Sequence, residues 1–468
     1  MIPFFPKQIS NRAILVYIVS LSIISLTYVD YSMPWEYIIL GICFILGFFL
    51  STNYWTKSAI STKQEEYIYK LFGFAFLLRF LWVIGSYYYY SAYVGSPFGF
   101  ENKDAIGYHD TAVWLSESPW KTAVNYFFHT EGVPISDAGY PIWLTLLYKL
   151  FGPIIILPRI IKALLSSWMC ILVYRISARI FGENIGRMAG IICVLMPNFI
   201  LYCGYHLKEV EMLFIEMAFL ERLDFLLRNK KNSVWNITLT SLLALALFLF
   251  RTVLGAVAVF TAATAVLFSS YPSMKSWGKK GALIGWGILC FIVLSQGTIM
   301  NEIEGYWNER GENATMKRYE QTIRGNQWAK YATSTVMMPM SFVLPFSTMI
   351  NVDQQYGQQE KHAGNFIRNF MGFFAILAVV EAFRRKKWRD FTMIGAFVIS
   401  YLGIVSLSGF SNSERFLLPA LPGLIMMWAY GISVLTKESY KLMTPWCVIV
   451  FVMEFGWAFF KLGSRGLF

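Results

Sequence analysis

Long apolar stretches constrain this chain more than any other feature of its sequence. A helix needs about 20 apolar residues to cross the hydrocarbon layer of a bilayer. Thirteen stretches qualify, at residues 12–29, 35–51, 69–92, 157–180, 186–204, 208–227, 234–251, 252–270, 281–300, 366–384, 391–409, 415–434 and 443–461. The sequence therefore predicts an all-α, polytopic membrane protein with about 13 transmembrane helices.

The composition agrees with a membrane protein and argues against a nucleic-acid partner. Only 15% of the residues are charged and 56% are hydrophobic, whereas soluble proteins carry about 25% charged residues. The net charge of +12 would suit nucleic acid, but the cations cluster in short loops between apolar stretches. That distribution indicates membrane topology and contact with lipid headgroups.

Alternate loops of the predicted topology are basic. With the N-terminus in the cytoplasm, every second loop carries Lys or Arg, as the positive-inside rule requires. These cations are Lys57, Lys63, Arg179, Arg187, Arg228, Lys230, Lys231, Lys275, Lys279, Lys280, Arg384, Arg385, Lys386, Lys387, Arg389, Lys437 and Lys441. The pattern predicts a multi-pass membrane protein with a cytoplasmic N-terminus.

Two long segments then fall on the non-cytoplasmic face, at about 92–157 and 301–365. They divide the chain into two N-terminal helices (1–68), a core with the first external loop (69–300), the second loop (301–365) and C-terminal helices (366–468). All four histidines also fall outside, namely His109, His129, His206 and His362. Within the first loop, Tyr140–Gly152 is apolar but short, which predicts a re-entrant or interfacial helix.

The clearest candidate for chemistry is the segment 102–114, directly after the third span. If it is helical from Asp104, then Asp104 and Tyr108 share a face at i, i+4, and Asp110 points elsewhere. A carboxylate at the edge of a bilayer is costly unless it is used or paired. Asp104 also fits a second interpretation, in which it caps the helix.

Further motifs follow in a fixed order. They are Asp137-Ala-Gly-Tyr-Pro141, Leu150-Phe-Gly152, Pro158-Arg159, a span ending Tyr174-Arg-Ile-Ser-Ala-Arg-Ile-Phe-Gly182, Met196-Pro197, a turn with His206, Lys208 and Glu209, and Glu414-Arg-Phe-Leu-Leu-Pro-Ala-Leu-Pro422. The series resembles the GT-C superfamily of membrane glycosyltransferases, in the bacterial branch of protein O-mannosyltransferases and the lipid A aminoarabinose transferase. Ala105 departs from the Asp-Glu pair of many relatives, and Gly139-Tyr140-Pro141 replaces a Lys-Pro-Pro type sequence.

The resemblance implies transfer of a sugar from a polyprenyl-phosphate or polyprenyl-diphosphate carrier to a lipid, glycan or protein acceptor outside the cytoplasm. Such chemistry needs a base for the acceptor's proton and cations for the departing phosphate. Asp104 matches the motif position of the base, with Asp137 and then Asp110 as further acidic candidates. The predicted substrate-binding residues are Tyr108, His109, Lys208, Glu209, Arg251, Arg415 and Arg368, with Lys361 behind them. Lys208 and Arg251 also fit cations that snorkel to headgroups.

Three alternatives remain open on sequence grounds. His109 and His206 raise divalent-metal binding, but no ligand pair has suitable spacing, so we expect no cofactor. An oligosaccharide polymerase or O-antigen ligase would depend on basic residues of the late loop such as Arg324, rather than on Asp104. A transporter or flippase would be expected to show repeated halves and charges at the midplane, and neither is evident.

Overall fold

The described part of the chain is helical. The computed structural model describes residues 2–100, 102–129, 137–229, 234–268, 340–351, 356–407 and 413–463, with the single positions 281, 285, 287 and 467. Within these ranges the regular elements are α-helices and short 3₁₀ turns, and one isolated bridge pairs Ser32 with Ile350. The all-α prediction is confirmed for the residues described.

Nineteen helices are numbered here in chain order. The first ten are α1 (Lys7–Thr27), α2 (Trp35–Ala59), α3 (Gln64–Tyr93), α4 (Asn102–Glu117), α5 (Trp120–His129), α6 (Gly139–Phe151), α7 (Ile156–Phe181), α8 (Glu183–Leu195), α9 (Pro197–Gly204) and α10 (Glu209–Arg228). The others are α11 (Val234–Phe250), α12 (Thr252–Phe268), α13 (Tyr356–Glu360), α14 (His362–Arg384), α15 (Thr392–Leu407), α16 (Glu414–Leu417), α17 (Leu421–Ser433), α18 (Lys437–Lys441) and α19 (Met443–Gly463).

Seven helices in the described part are long and apolar enough to cross a membrane. They are Lys7–Thr27, Trp35–Ala59, Gln64–Tyr93, Ile156–Phe181, His362–Arg384, Glu414–Ser433 and Lys437–Gly463. An eighth is obtained if α8 and α9, bent by 43° at Pro197, form one span, because proline removes a backbone donor and breaks the helix. The protein is therefore a multi-pass membrane protein, and the count of thirteen spans is not confirmed.

The remaining predicted spans are too short, contain charged residues or lie outside the described residues. Val234–Phe250, Thr252–Phe268 and Thr392–Ser406 are apolar but shorter helices. The predicted span 208–227 forms α10, which buries five carboxylates, at Glu209, Glu211, Glu216, Glu221 and Asp224. The predicted span 281–300, and most of the second external loop, lie outside the described residues.

Charged residues mark two ends of the helical bundle. At one end Arg179 pairs with Glu221 and Asp224, and Arg187 donates to the backbone carbonyls of Ala59 and Thr62. The other end holds the start of α10, whose 20 residues span about 30 Å. That length is similar to the thickness of the hydrocarbon layer of a bilayer, so the two charged ends are separated by about the distance that a membrane span covers.

The first predicted external loop is built from helices. It contains α4, α5 and α6, and α6 packs along α4, where Lys149 Nζ donates to the carbonyls of Ser116 (2.9 Å) and Ser118 (2.5 Å). The segment Tyr140–Gly152 is thus helical as predicted, while its placement as re-entrant or interfacial stays a prediction. This helical layer lies over the end of the bundle where the candidate site is found.

A close contact between two helices joins α17 to α14. A side-chain carbon added to Gly431 of α17 would collide with the backbone carbonyl oxygen of Phe374 in α14. Small residues allow transmembrane helices to approach in this way, which gains van der Waals packing in lipid. The contact holds the C-terminal end of α17 against α14, and Glu414 and Arg415 lie at the other end of the same apolar segment.

Candidate functional site

Asp104 forms an ion pair with a cation from the far end of the chain. It lies in the first turn of α4, and Arg415 Nη1 donates to its Oδ2. The Nε of the same guanidinium donates to Oε1 of Glu209 at the start of α10. Arg415 therefore joins two carboxylates, of which Asp104 is 55% exposed and Glu209 is fully buried.

The position of Arg415 is set by its neighbour Glu414, which is anchored on three sides. Its carboxylate accepts hydrogen bonds from Asn198 (2.6 Å) and Tyr202 (2.8 Å). Lys361 Nζ lies 3.5 Å from the same group. Because Glu414 is held against α9 in this way, it does not face solvent, and the next residue is directed to the end of α4.

Lys208 makes the second ion pair of the site. Its Nζ donates to Oδ1 of Asp137 and to the backbone carbonyl of Phe250, at 2.6 Å. Burial lowers the pKa of this lysine, and the Asp137 carboxylate acts in the opposite direction. Lys208 is only 5% exposed, so it is a bound cation of the site and does not extend to headgroups.

Asp137 reaches Lys208 because the chain passes close to Phe250. A side-chain carbon on Gly139 would lie 2.7 Å from the ring of Phe250. Glycine at the first position of α6 therefore allows the helix to begin against the end of α11, two residues after Asp137. The departure at Gly139-Tyr140-Pro141 thus has a packing explanation.

A cleft of about 340 Å³ lies beside the two ion pairs, and the aspartate of each pair lines it. Its lining includes Asp104, Tyr108 and Asp137, three residues that the sequence proposed for the site. Burial raises the pKa of Tyr108, and the nearby carboxylates of Asp137, Glu209 and Asp104 add to this, whereas Arg415 opposes it. The phenol therefore stays neutral and can donate a hydrogen bond to a ligand.

Arg251 lies behind this pair of cations. Its Nη1 donates to the Tyr401 hydroxyl at 2.9 Å, and its guanidinium carbon is 4.5 Å from the centre of the Phe416 ring. Phe416 follows Arg415 in sequence, so Arg251 packs directly beside the Arg415–Glu209 pair. Lys208, Arg251 and Arg415 therefore gather behind the aspartates of the cleft, and none of the three is part of the cleft lining.

Other predicted site residues lie elsewhere. Asp110 is exposed on α4 and does not line the cleft. His109 Nδ1 is 2.9 Å from the Tyr148 hydroxyl, which lies 3.3 Å from Nε2 of the buried His206. Burial lowers the pKa of both histidines, most strongly that of His206. This neutral cluster packs behind Tyr140, away from the cleft.

Arg368 also lies apart from the cleft lining. It is buried in α14, and its Nη1 donates to the carbonyl of Leu417 at 3.1 Å. Lys361 is used in the anchoring of Glu414. Both residues hold the start of the C-terminal helices, and their predicted contact with a phosphate group remains a prediction.

The cleft includes residues that the sequence reasoning did not single out. Tyr126, Phe127 and Pro141 supply apolar surface, and Lys103 and Thr111 add polar groups. Thr111 could have been found, because it lies one helical turn beyond Tyr108 on the face that carries Asp104. Tyr126 and Phe127 come from α5, and no pattern in the sequence indicates that α5 packs against α4.

Metal ligands do not cluster in the described ranges: no three side chains of His, Cys, Asp or Glu form a group that could hold an ion. The carboxylates of the cleft are instead bound to Lys208 and Arg415. The arrangement that the described residues do form is a pair of aspartates facing a group of cations.

Comparison with known proteins gives limited information. No family model matches the chain, and no curated protein does either. One similar solved structure is the archaeal oligosaccharyltransferase AglB from Archaeoglobus fulgidus, in complex with an inhibitory peptide and a dolichol-phosphate. The alignment has 12% identity and a TM-score of 0.38, and it covers 79% of this chain and 56% of that chain. A likeness at this level supports no functional assignment.

Proposed function

We propose that the protein is a GT-C type glycosyltransferase that uses a lipid-linked sugar donor, with its active site in the cleft between α4 and α6. The observation that carries the proposal is the pairing of Asp104 and Asp137 with Arg415 and Lys208 at one end of a membrane-spanning bundle. Carboxylates and cations at a single cleft supply both groups that transfer from a phosphate carrier requires.

In the proposed reaction Asp104 acts as the general base. Its carboxylate takes the proton of an acceptor hydroxyl while that oxygen attacks the anomeric carbon of the donor sugar. The bond from this carbon to the phosphate oxygen breaks, and the carrier phosphate leaves with the bonding electrons. Lys208, Arg251 and Arg415 stabilise the charge on the leaving phosphate, and a positioned base contributes about 10²–10⁴ in rate.

The cleft is suited to one sugar residue. Its volume of about 340 Å³ is at the lower end of the roughly 300–1,000 Å³ that small-molecule sites occupy. Tyr108, Tyr126 and Phe127 offer aromatic faces against which the C–H face of a sugar ring packs. Asp137 is placed to accept hydrogen bonds from sugar hydroxyls, as the second acidic residue of the site.

The proposed location follows from the distribution of cations. Arg179 of one basic loop pairs with Glu221 and Asp224 near the end of α10, whereas Arg415 pairs with Glu209 at its start. From the positive-inside rule we infer that the cleft lies outside the cytoplasm. We therefore propose a bacterial cytoplasmic membrane, with the N-terminus in the cytoplasm and the cleft at the outer leaflet. The acceptor is a lipid, glycan or protein on that side.

A transfer assay with the purified full-length protein tests the proposal. A panel of polyprenyl-phosphate and polyprenyl-diphosphate sugars, each with a radiolabelled sugar, is incubated with extracted envelope lipids, glycans and proteins as acceptors. The proposal predicts transfer from at least one donor of the panel, and no transfer from the corresponding nucleotide sugars. Use of a nucleotide sugar, or labelled product that does not depend on the protein, would contradict it.

A further inference from the structure

Lys208 and Arg415, the cations that pair with the two aspartates of the cleft lining, are each bound from two sides. Arg415 contacts Asp104 at the cleft and Glu209 behind it. Lys208 contacts Asp137 at the cleft and the carbonyl of Phe250 behind it. In both cases the rear contact would hold the cation in place if the front contact were lost.

The front and rear contacts differ in exposure. The side chains of Asp104 and Asp137 are 55% and 48% exposed, whereas Glu209 is fully buried. Water can solvate the half-exposed carboxylates of Asp104 and Asp137 when they separate from their cations, whereas separating the buried Glu209 would leave its charge without compensation, which is strongly destabilising. The aspartates can therefore leave while Glu209 keeps Arg415 at the cleft.

We propose that Lys208 and Arg415 form a phosphate-binding site that Asp104 and Asp137 cap in the conformation described here, and that a bound phosphate group displaces both carboxylates. Phosphate oxygens and carboxylate oxygens accept hydrogen bonds from the same N–H groups. The aspartates are thus internal competitors for the ligand's binding site. The inference rests on the proposed function, because the displaced Asp104 is the base in that reaction.

The competition has a consequence for catalysis. While Arg415 donates to Asp104, that carboxylate oxygen is not free to accept the proton of an acceptor hydroxyl. Binding of the donor phosphate to Arg415 frees Asp104 at the moment when the sugar is in place. The protein would then couple occupation of the phosphate site to availability of the base.

Two roles of the aspartates can be distinguished by experiment: they either compete with phosphate for the cations or help to bind it. Removing a carboxylate that competes with phosphate strengthens phosphate binding, whereas removing a ligand-binding group weakens it. Asp104→Asn keeps the size of the side chain and removes its charge. Glu117→Gln is the matched control, because Glu117 is an exposed carboxylate at the opposite end of the same helix, α4.

Calorimetric titration of the full-length protein in a neutral detergent measures this effect. The probes are farnesyl monophosphate and inorganic phosphate, with farnesol as the uncharged comparison. We expect Asp104→Asn and Asp137→Asn each to lower the Kd for farnesyl monophosphate at least about fivefold, the lower limit of typical coupling between sites. Glu117→Gln should leave the Kd unchanged, and Arg415→Gln should raise it.

Unchanged or weaker binding in both aspartate variants, with melting temperatures like that of the wild type, would overturn the inference. If Asp104→Asn melts early, Asp104→Ser removes the same charge and replaces it in the comparison. Tighter binding of farnesyl monophosphate than of inorganic phosphate identifies a lipid-linked phosphate as the ligand, and equal binding identifies a free phosphate group. If the aspartate variants bind phosphate more tightly but the wild type transfers no sugar, the proposed function is refuted and this inference stands. If the wild type transfers sugar but the variants do not bind phosphate more tightly, this inference is refuted and the proposed function stands.

Discussion

Arg415 follows Glu209 by 206 positions in the chain, yet its Nε donates to the buried Glu209 carboxylate. The same guanidinium reaches Asp104, 311 positions before it. The start of α4, the start of α10 and the segment before α17 therefore meet at one side chain. This contact joins the layer of α4, α5 and α6 to the membrane-spanning bundle, and the proposed chemistry depends on it.

Loss of Arg415 should destabilise the protein. Arg415→Gln leaves the Glu209 carboxylate buried without its cation, which costs roughly 3–5 kcal/mol for a buried pair. The double variant with Glu209→Gln removes both charges and should recover most of that loss. Equilibrium unfolding in mixed micelles measures the difference, and an equal loss in the single and double variants would contradict a stabilising ion pair.

Stability should fall below neutral pH because of His206. Burial lowers the pKa of this histidine well below its usual value, and the nearby cations Lys162 and Arg159 act in the same direction. The unfolded chain therefore binds a proton below about pH 6.5 that the folded protein does not, so the folded state loses up to about 1.4 kcal/mol per pH unit there. Above about pH 6.5 the histidine is neutral in both the folded and the unfolded protein, so this loss of stability is absent there.

A variant of His206 measures how much of the pH-dependent loss of stability this histidine causes. His206→Gln cannot titrate, so its melting temperature should decline less than that of the wild type between pH 7.5 and pH 5.5. Identical pH profiles for wild type and His206→Gln would show that other groups cause the decline. The measurement is a thermal melt of the detergent-solubilised protein across a pH series.

Much of the fold was accessible from the sequence, because apolar length and loop charge act locally. Twelve of the predicted spans correspond to described helices, and the predicted helix at Asp104 is α4. The span count was not accessible in the same way. Buried carboxylates such as Glu211 and Glu216 exclude α10 from the candidate spans when apolar composition is the criterion. Whether the bundle accommodates them depends on packing against neighbouring helices, which the sequence does not show.

The site was predicted in part. Asp104, Tyr108 and Asp137 meet at one cleft, and Lys208, Arg251 and Arg415 gather beside it. The sequence placed the first three in the first external loop and the three cations near predicted outer ends of spans, which is the same side of the membrane. Which of these residues contact one another could not be predicted from the sequence. No pattern shows that Arg415 holds Asp104 and Glu209, or that His109 packs against Tyr148, since these contacts depend on how distant helices pack.

Sidedness can be tested with single cysteines in a background without the native ones. Lys121→Cys lies on α5 beside the cleft, and Lys387→Cys lies in the basic segment after α14; both positions are exposed. We expect a membrane-impermeant maleimide to label Lys121→Cys in intact cells, and Lys387→Cys only after permeabilisation. Labelling of both from one side, or the reverse pattern, would contradict the proposed topology.

The most direct test of the account compares sugar transfer by the wild type, Asp104→Asn and Glu117→Gln at a saturating lipid-linked donor concentration. Loss of a general base lowers the rate by about 10²–10⁴, so we expect that loss in Asp104→Asn and a normal rate in Glu117→Gln. Both variants should melt like the wild type, because Asp104 is half exposed and Arg415 keeps its pair with Glu209. A normal transfer rate in a folded Asp104→Asn protein would show that Asp104 is not the base, and would contradict the central claim.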